Sequence, residues 1–142
     1  MLLSRDARLV SAVTLLLVPT IMYGGWTLLG ILTRGMVIPS ANVHLDETQW
    51  ALWRAGHAHA GVWTILSLLL QIFLDSARLS APAKWLARIC APLAAVLLSA
   101  GFFGVSASVG LRWLIYLGVI SMLIALLLTA LGLVRDLRTA AV

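Results

Sequence analysis

The chain has 142 residues, of which 62% are hydrophobic and 11% are charged. Soluble domains are about 45 to 50% apolar and about 25% charged, so the composition predicts an integral membrane protein. The net charge of +5 comes from basic residues scattered at the ends of apolar stretches. They form no patch with interleaved aromatic residues, which argues against nucleic-acid binding. The single cysteine, Cys90, excludes an internal disulfide and a cysteine-based metal cage.

Four apolar stretches follow one another along the chain, at residues 9–33, 50–74, 85–108 and 111–134. Each has the roughly 20 residues that a helix needs to cross about 30 Å of hydrocarbon. The first has no small-residue cleavage site and is therefore predicted to be a retained span rather than a signal peptide. We predict an all-α fold, an integral membrane four-helix bundle that forms a single domain over residues 1–142 and lies in a lipid bilayer.

The distribution of basic residues predicts the orientation of this bundle. One side carries seven of the ten basic residues and the other side carries three. The first set is Arg5, Arg8, Arg78, Lys84, Arg88, Arg135 and Arg138, and the second is Arg34, Arg54 and Arg112. The positive-inside rule then places both termini in the cytoplasm. The aromatic residues agree, because Trp50, Trp53, Trp113 and Tyr116 form an outer interfacial belt and Trp85 an inner one.

Small residues, prolines and glycines predict how the spans pack. In the third span they recur at intervals of four, which permits close helix contact and predicts a central position for this helix. These positions are Ala87, Ala91, Ala95 and Ser99. Pro19 and Pro92 should kink their helices, because each removes a backbone donor. The pair Gly24 and Gly25 marks a point where another helix or a ligand can come close.

The second span carries most of the polar chemistry, because Arg54, His57 and His59 enter an apolar, membrane-length segment. Ionisable groups at that depth are costly and therefore suggest a function. At 3.6 residues per turn, one polar stripe runs along this helix. It consists of His57, Gly61, Thr64, Leu68, Gln71 and Asp75. Tyr23 and Thr27 belong to a comparable stripe on the first span and are the predicted partners of His57.

The spacing of the two histidines separates their roles. Two residues on a helix correspond to about 200° of rotation, so His57 and His59 cannot share one metal ion. We predict that His57 faces the bundle, because it heads the polar stripe, and that His59 faces a neighbouring helix or subunit. Three interpretations of the histidines remain open. They join helices by hydrogen bonds, they form a site for a cofactor or quinone-type ligand, or they belong to a proton or ion path. Arg54 either neutralises an acidic or carbonyl group of such a ligand or extends to the interface.

The remaining polar residues predict local structure rather than catalysis. Asp46 with Gln49 three residues later is typical of a helix N-cap, which we favour over a metal site in the outer loop. Asp75 is expected at the cytoplasmic mouth, paired with Arg78 or solvated. No Ser/His/Asp arrangement, paired-carboxylate site or glycine-rich phosphate loop is evident. We therefore predict a protein that is not an enzyme.

The run from Arg54 to Val62, Arg-Ala-Gly-His-Ala-His-Ala-Gly-Val, resembles the outer end of the second helix in the catalytic subunit of haem-copper oxidases and nitric oxide reductases. There a histidine after a basic residue ligates low-spin haem, so the resemblance implies His57 or His59 as an axial ligand and haem as a possible cofactor. That family uses further histidines on later helices, whereas this chain has none after His59, which excludes oxygen chemistry at a binuclear centre. A haem here would need Met or Tyr as its other ligand, a second copy of the chain, or an open position.

The chain also resembles small four-span bacterial membrane proteins with a His-x-His second helix, which implies a multi-pass protein of the bacterial plasma membrane. The leading hypothesis is a small protein that binds a haem-like cofactor or a quinone-like hydrophobic ligand in the outer leaflet, as an accessory redox subunit. A homo-oligomer or a larger membrane complex is its possible setting. The alternatives are a structural or assembly subunit without a ligand and, third, an oligomeric transporter or channel. The candidate binding residues are His57, His59, Arg54, Tyr23, Thr27, Gly61, Thr64 and Gln71.

Overall fold

The computed structural model describes residues 3–38 and 43–140, and this part of the chain is helical without any strand. The elements are α1 (Arg5–Leu16), α2 (Val18–Leu32), α3 (Glu47–Ser76), α4 (Ala81–Ala107), a short 3₁₀ turn (Val109–Arg112) and α5 (Trp113–Ala140). Among the described residues, four helical spans are long and apolar enough to cross a membrane, with α1 and α2 together forming the first. The predicted all-α, four-span, multi-pass membrane fold is confirmed.

The first span is broken at Leu17, two residues before Pro19. Proline has no backbone N–H and its ring crowds the preceding turn, so a continuous helix is unfavourable here. The Leu17 carbonyl instead accepts from the Thr20 hydroxyl at 2.6 Å and from the Thr20 backbone N–H at 3.1 Å. The predicted disturbance at Pro19 is therefore confirmed as a break between α1 and α2, whereas α4 continues through Pro92 as one helix.

Helix α4 lies at the centre of the bundle, because it packs along both α3 and α5. Its small residues are buried at these interfaces, as the sequence predicted. They include Ala87, Ala91, Ala95 and Ser99. On α5, a Cβ atom added at Gly118 would lie 2.8 Å from the backbone nitrogen of Leu98, so the two helix backbones approach closely there. Such contacts stabilise helix pairs in membranes through close packing.

The first span packs less tightly than the other three. Helix α2 contacts α3, but within the described residues its backbone does not come close to that of α4. A groove therefore runs between α2 and α4, and α3 forms its floor. We refer to it below as the α2–α4 groove.

The two ends of the bundle are fixed by specific contacts. Asp46 begins α3 with a capping box, in which its carboxylate accepts from Gln49 N at 2.8 Å and the Gln49 side-chain oxygen accepts from Asp46 N at 3.1 Å. This confirms the predicted cap. At the opposite end, Ser4 bonds to Asp75, and Arg78 N donates to the carbonyl of Gly132 at 2.9 Å. The two ends of the described chain thus lie at one end of the bundle, and their side of the membrane stays a prediction.

Candidate functional site

His57 lies against the two adjacent glycines of α2. A Cβ atom added at Gly25 would lie 3.1 Å from His57 Cε1 and 3.2 Å from Nε2, and one at Gly24 would lie 3.6 Å from Nδ1. The absence of side chains at these two positions provides the space that the imidazole occupies. The predicted close approach at Gly24 and Gly25 is confirmed.

The predicted partners of His57 on the first span are wrong. The Tyr23 side chain is 73% exposed, and the Thr27 hydroxyl donates to the backbone carbonyl of Tyr23 at 3.0 Å. The reason is the rotation of α2, because adjacent helical residues point about 100° apart. With Gly24 and Gly25 directed at His57, Tyr23 is turned away from it.

The α2–α4 groove contains a cavity of about 310 Å³. Its floor is one face of α3, where His57, Ala60 and Thr64 follow one another at intervals of three and four residues. Leu17 and Ile21 from the first span form part of one wall. The other wall belongs to α4 and includes Ala95 and Phe103, whereas α5 contributes no lining residue. The cavity is therefore a mainly apolar site, and His57 and Thr64 supply polar groups on its floor.

Neither the His57 ring nor the Thr64 hydroxyl has a hydrogen-bond partner among the residues that the structure describes. Thr64 is nevertheless only 4% exposed. The buried hydroxyls of Thr14 and Thr129 donate to a carbonyl one turn earlier, to Val10 O at 2.8 Å and to Ala125 O at 2.7 Å. The hydroxyl of Ser67, which is completely buried on α3 and does not line the cavity, has no partner among the described residues. The Thr64 hydroxyl differs from that of Ser67, because it is not a fully buried atom and Thr64 lines the cavity. Both groove side chains can thus bond to a ligand at little competing cost.

His59 faces a different side of α3 from His57. Its Nδ1 lies 2.7 Å from the Ala55 carbonyl, and its ring centroid lies 4.8 Å from that of Phe102 on α4. Because a carbonyl oxygen only accepts, Nδ1 carries the proton. The ring also stacks on Trp63 at a centroid distance of 6.4 Å. The predicted separation of the two histidines is confirmed, and His59 packs against a neighbouring helix outside the cavity.

The lower half of the predicted polar stripe belongs to a separate cluster, formed by Ser4, Gln71, Asp75 and Arg88 and called the Arg88 cluster below. Arg88 pairs with the Asp75 carboxylate and donates to the Gln71 side-chain oxygen at 3.1 Å. The backbone N–H and the hydroxyl of Ser4 donate to Asp75 at 2.8 and 2.7 Å. Gln71 is completely buried and Arg88 is 3% exposed, so the cluster joins the start of the chain, α3 and α4 inside the bundle.

The Arg88 cluster corrects the prediction for Asp75, whose partner is Arg88 rather than Arg78. The side chain of Arg78 is exposed in the connection after α3, whereas Arg88 faces α3 from the inner side of α4. Helical spacing contained this signal, since Arg88 lies three residues before Ala91 in the buried row of α4. The sequence analysis counted Arg88 only among the basic residues of the cytoplasmic side and did not predict that its side chain faces α3.

Of the eight predicted binding residues, the groove brings together His57 and Thr64. Arg54 is exposed and lines no part of the cavity, which agrees with an extension to the interface. Gly61 does not line the cavity, and a Cβ atom added there would meet nothing within 4 Å. The sequence interpretation missed the contribution of α4, including Phe103.

No protein family model, curated protein or solved structure matches this chain. The site is therefore interpreted from its own geometry.

Among the described residues, the groove supplies only one of the two axial ligands of the low-spin haem that the oxidase resemblance implies. Haem bound within one chain takes one or two axial ligands from histidine, methionine, cysteine or tyrosine. Within the part of the chain that the structure describes, the cavity lining contains His57 and none of the other three residue types. Met22 and Tyr23 of α2 are 69% and 73% exposed, and Arg54 does not reach the cavity to pair with a propionate. The described residues of the groove therefore supply no second axial ligand for a haem.

Proposed function

We propose that this protein binds a hydrophobic, membrane-dissolved ligand in the α2–α4 groove, with His57 as the main polar contact. The observation that carries the proposal is an apolar cavity whose floor holds an imidazole and a threonine hydroxyl without partners among the described residues. Ligand sites typically combine an apolar lining with a few polar groups and occupy about 300 to 1,000 Å³. At about 310 Å³, the cavity suits one ring and its substituents.

The depth and direction of the groove favour a ligand that comes from the lipid. His57 follows Trp50 and Trp53 by seven and four residues, which places it roughly 6 to 10 Å below these interfacial rings along the helix. The separation of α2 from α4 leaves a lateral path between two helices with apolar outer surfaces. A quinone-like molecule fits these conditions better than haem. We propose the outer leaflet of a bacterial plasma membrane as the setting and an accessory redox subunit, rather than an enzyme, as the role.

Substitution of each histidine tests the proposal, with binding of a decyl-substituted 1,4-benzoquinone to the detergent-solubilised protein as the readout. His57→Ala should weaken binding about tenfold, because a hydrogen bond of about 1.4 kcal/mol corresponds to a factor of ten. The bundle should still assemble. His59→Ala is the matched control, since His59 lies on the same helix outside the cavity, and it should change binding by less than about twofold.

Two results would contradict the proposal. A wild-type protein that binds neither the quinone nor any co-purified lipid would favour a structural or assembly subunit, in which both histidines only join helices. Equal, small losses of stability at both positions would lead to the same conclusion, because hydrogen bonds between membrane helices average about 0.6 kcal/mol. We also expect the absorption spectrum of the purified protein to show no Soret band, and a Soret band lost in His57→Ala would reinstate haem.

A further inference from the structure

We infer that Thr64 is a second polar contact of the ligand, and that the groove recognises a ring with oxygen atoms at opposite edges, the chemistry of a 1,4-quinone or its quinol. This inference rests on the proposed function and specifies its ligand class. It begins from the hydroxyl of Thr64, which lines the cavity, is 4% exposed and bonds to no described residue.

Thr64 is the one threonine or serine of the lining whose hydroxyl the described chain leaves unsatisfied. The Thr20 hydroxyl donates to the Leu17 carbonyl at 2.6 Å, and that of Ser99 donates to the Ala95 carbonyl at 2.7 Å. A ligand oxygen has to compete with these bonds at Thr20 and Ser99 but not at Thr64. The second polar contact is therefore expected on the floor of the groove rather than on its walls.

The spacing of the two floor residues along α3 is similar to the length of a ring with two opposed oxygens and their hydrogen bonds. Thr64 follows His57 by seven residues, so the two lie on one face of α3 and about 10 Å apart along its axis. Two opposed carbonyl oxygens of a six-membered ring, with a hydrogen bond of ~2.8 Å at each, span roughly 11 Å. Ala60 lies between them on the floor, and its small side chain leaves room for a flat ring.

The types of polar group narrow the ligand class further. A threonine hydroxyl and a neutral imidazole each can donate or accept a hydrogen bond, so the same pair suits the carbonyls of a quinone and the hydroxyls of a quinol. A ligand with one hydrogen-bonding oxygen would satisfy one of the two groups and leave the other without a partner on the cavity floor. A site with polar groups at both ends of the ring thus favours a quinone over a ligand that has one hydrogen-bonding oxygen.

The test compares two probes, the decyl-substituted 1,4-benzoquinone and a decyl-substituted cyclohexenone that has one carbonyl. Thr64→Val removes the hydroxyl at nearly constant shape and should weaken quinone binding about five- to tenfold, while binding of the cyclohexenone stays within about twofold. Ser67→Ala is the matched control, because it removes an unpartnered hydroxyl of the same helix that lies outside the cavity lining, and it should leave both affinities nearly unchanged. Thr64→Ser keeps the hydroxyl and should bind the quinone as the wild type does.

Failure of this inference is distinguishable from failure of the proposed function. Equal binding of both probes, unaffected by Thr64→Val but lost in His57→Ala, would overturn the second contact and leave the groove as a one-contact site. A Thr64→Ser protein that folds but binds the quinone as weakly as Thr64→Val would also overturn it. Absence of binding of either probe to the wild type would reject both proposals.

Discussion

Two polar regions share the same helix, α3, and differ in how their groups are paired. In the Arg88 cluster, Gln71 and Asp75 bond to Arg88 and to the start of the chain. In the α2–α4 groove, about 10 Å further along α3, His57 and Thr64 bond to no described residue. Burying polar groups in an apolar medium is costly unless they are paired. The paired region therefore stabilises the bundle, and the unpaired groups that line the cavity are the basis of the proposed ligand site.

The contacts of each region explain this difference. The Arg88 cluster lies where α1, α3 and α4 meet, so donors and acceptors from three directions reach one another. Gln71 completes the cluster by donating to the Arg88 carbonyl at 3.3 Å. The groove lies where α2 and α4 separate, so no helix supplies partners for the floor residues. The cluster thus joins the start of the first span to α3 and α4. Helix α2, the second part of that span, remains separated from α4.

Removal of the arginine should produce the largest effect. Arg88→Leu leaves the Asp75 carboxylate without its charged partner and the Gln71 side-chain oxygen without its donor. Loss of one member of a buried ion pair costs about 3 to 5 kcal/mol. Thermal unfolding in detergent should show a strongly lowered Tm or no folded protein. Arg78→Leu is the control, since its side chain is exposed, and such substitutions usually change stability by less than about 0.5 kcal/mol.

A double variant distinguishes lost pairing from lost packing. Asp75→Leu combined with Arg88→Leu removes both charges and should be less destabilised than Arg88→Leu alone, because no unpaired charge remains. Similar, small changes in Arg88→Leu and Arg78→Leu would refute the structural role of the cluster.

A smaller effect is expected from the glycines behind the imidazole. Gly25→Ala adds a Cβ atom 3.1 Å from His57 Cε1, which is tighter than an ordinary contact and should displace the ring. We expect quinone binding to weaken about threefold. The stability of the protein should change little, because alanine favours the helix by up to about 1 kcal/mol over glycine and this gain offsets the cost of the close contact. Gly61→Ala meets nothing within 4 Å and should leave binding unchanged. Weaker binding in both variants to the same extent would indicate a general effect on α3 and α2 rather than a displaced His57.

The smallest effect on the protein is expected from reporter fusions, which test whether the Arg88 cluster and the α2–α4 groove lie in the inner or the outer leaflet. Reporter fusions at Val142 and directly after Arg78 should read as cytoplasmic, and one at Leu45 should read as external, without loss of stability. This result would place the Arg88 cluster in the inner half of the membrane and the groove in the outer half. An external reading at Val142 would instead place the Arg88 cluster in the outer half of the membrane and the groove in the inner half.

Much of the fold and part of the site followed from local patterns. The four spans come from runs of apolar residues, the cap at Asp46 from a four-residue motif, and the break near Pro19 from a missing backbone donor. The different directions of His57 and His59 follow from the helical period alone. These features depend on residues within a few turns of one helix, so the sequence contains the information directly.

Contacts between helices required the tertiary structure. The pairing of Asp75 with Arg88, the outward turn of Tyr23 and the division of one polar stripe into a cluster and a groove all depend on how helices are rotated and spaced. Rotation and spacing are set by packing between distant residues, such as the close approach of Gly118 to Leu98. The sequence by itself therefore determined which residues are polar within the membrane, and only the packing of the helices decided which of them are paired and which face a cavity.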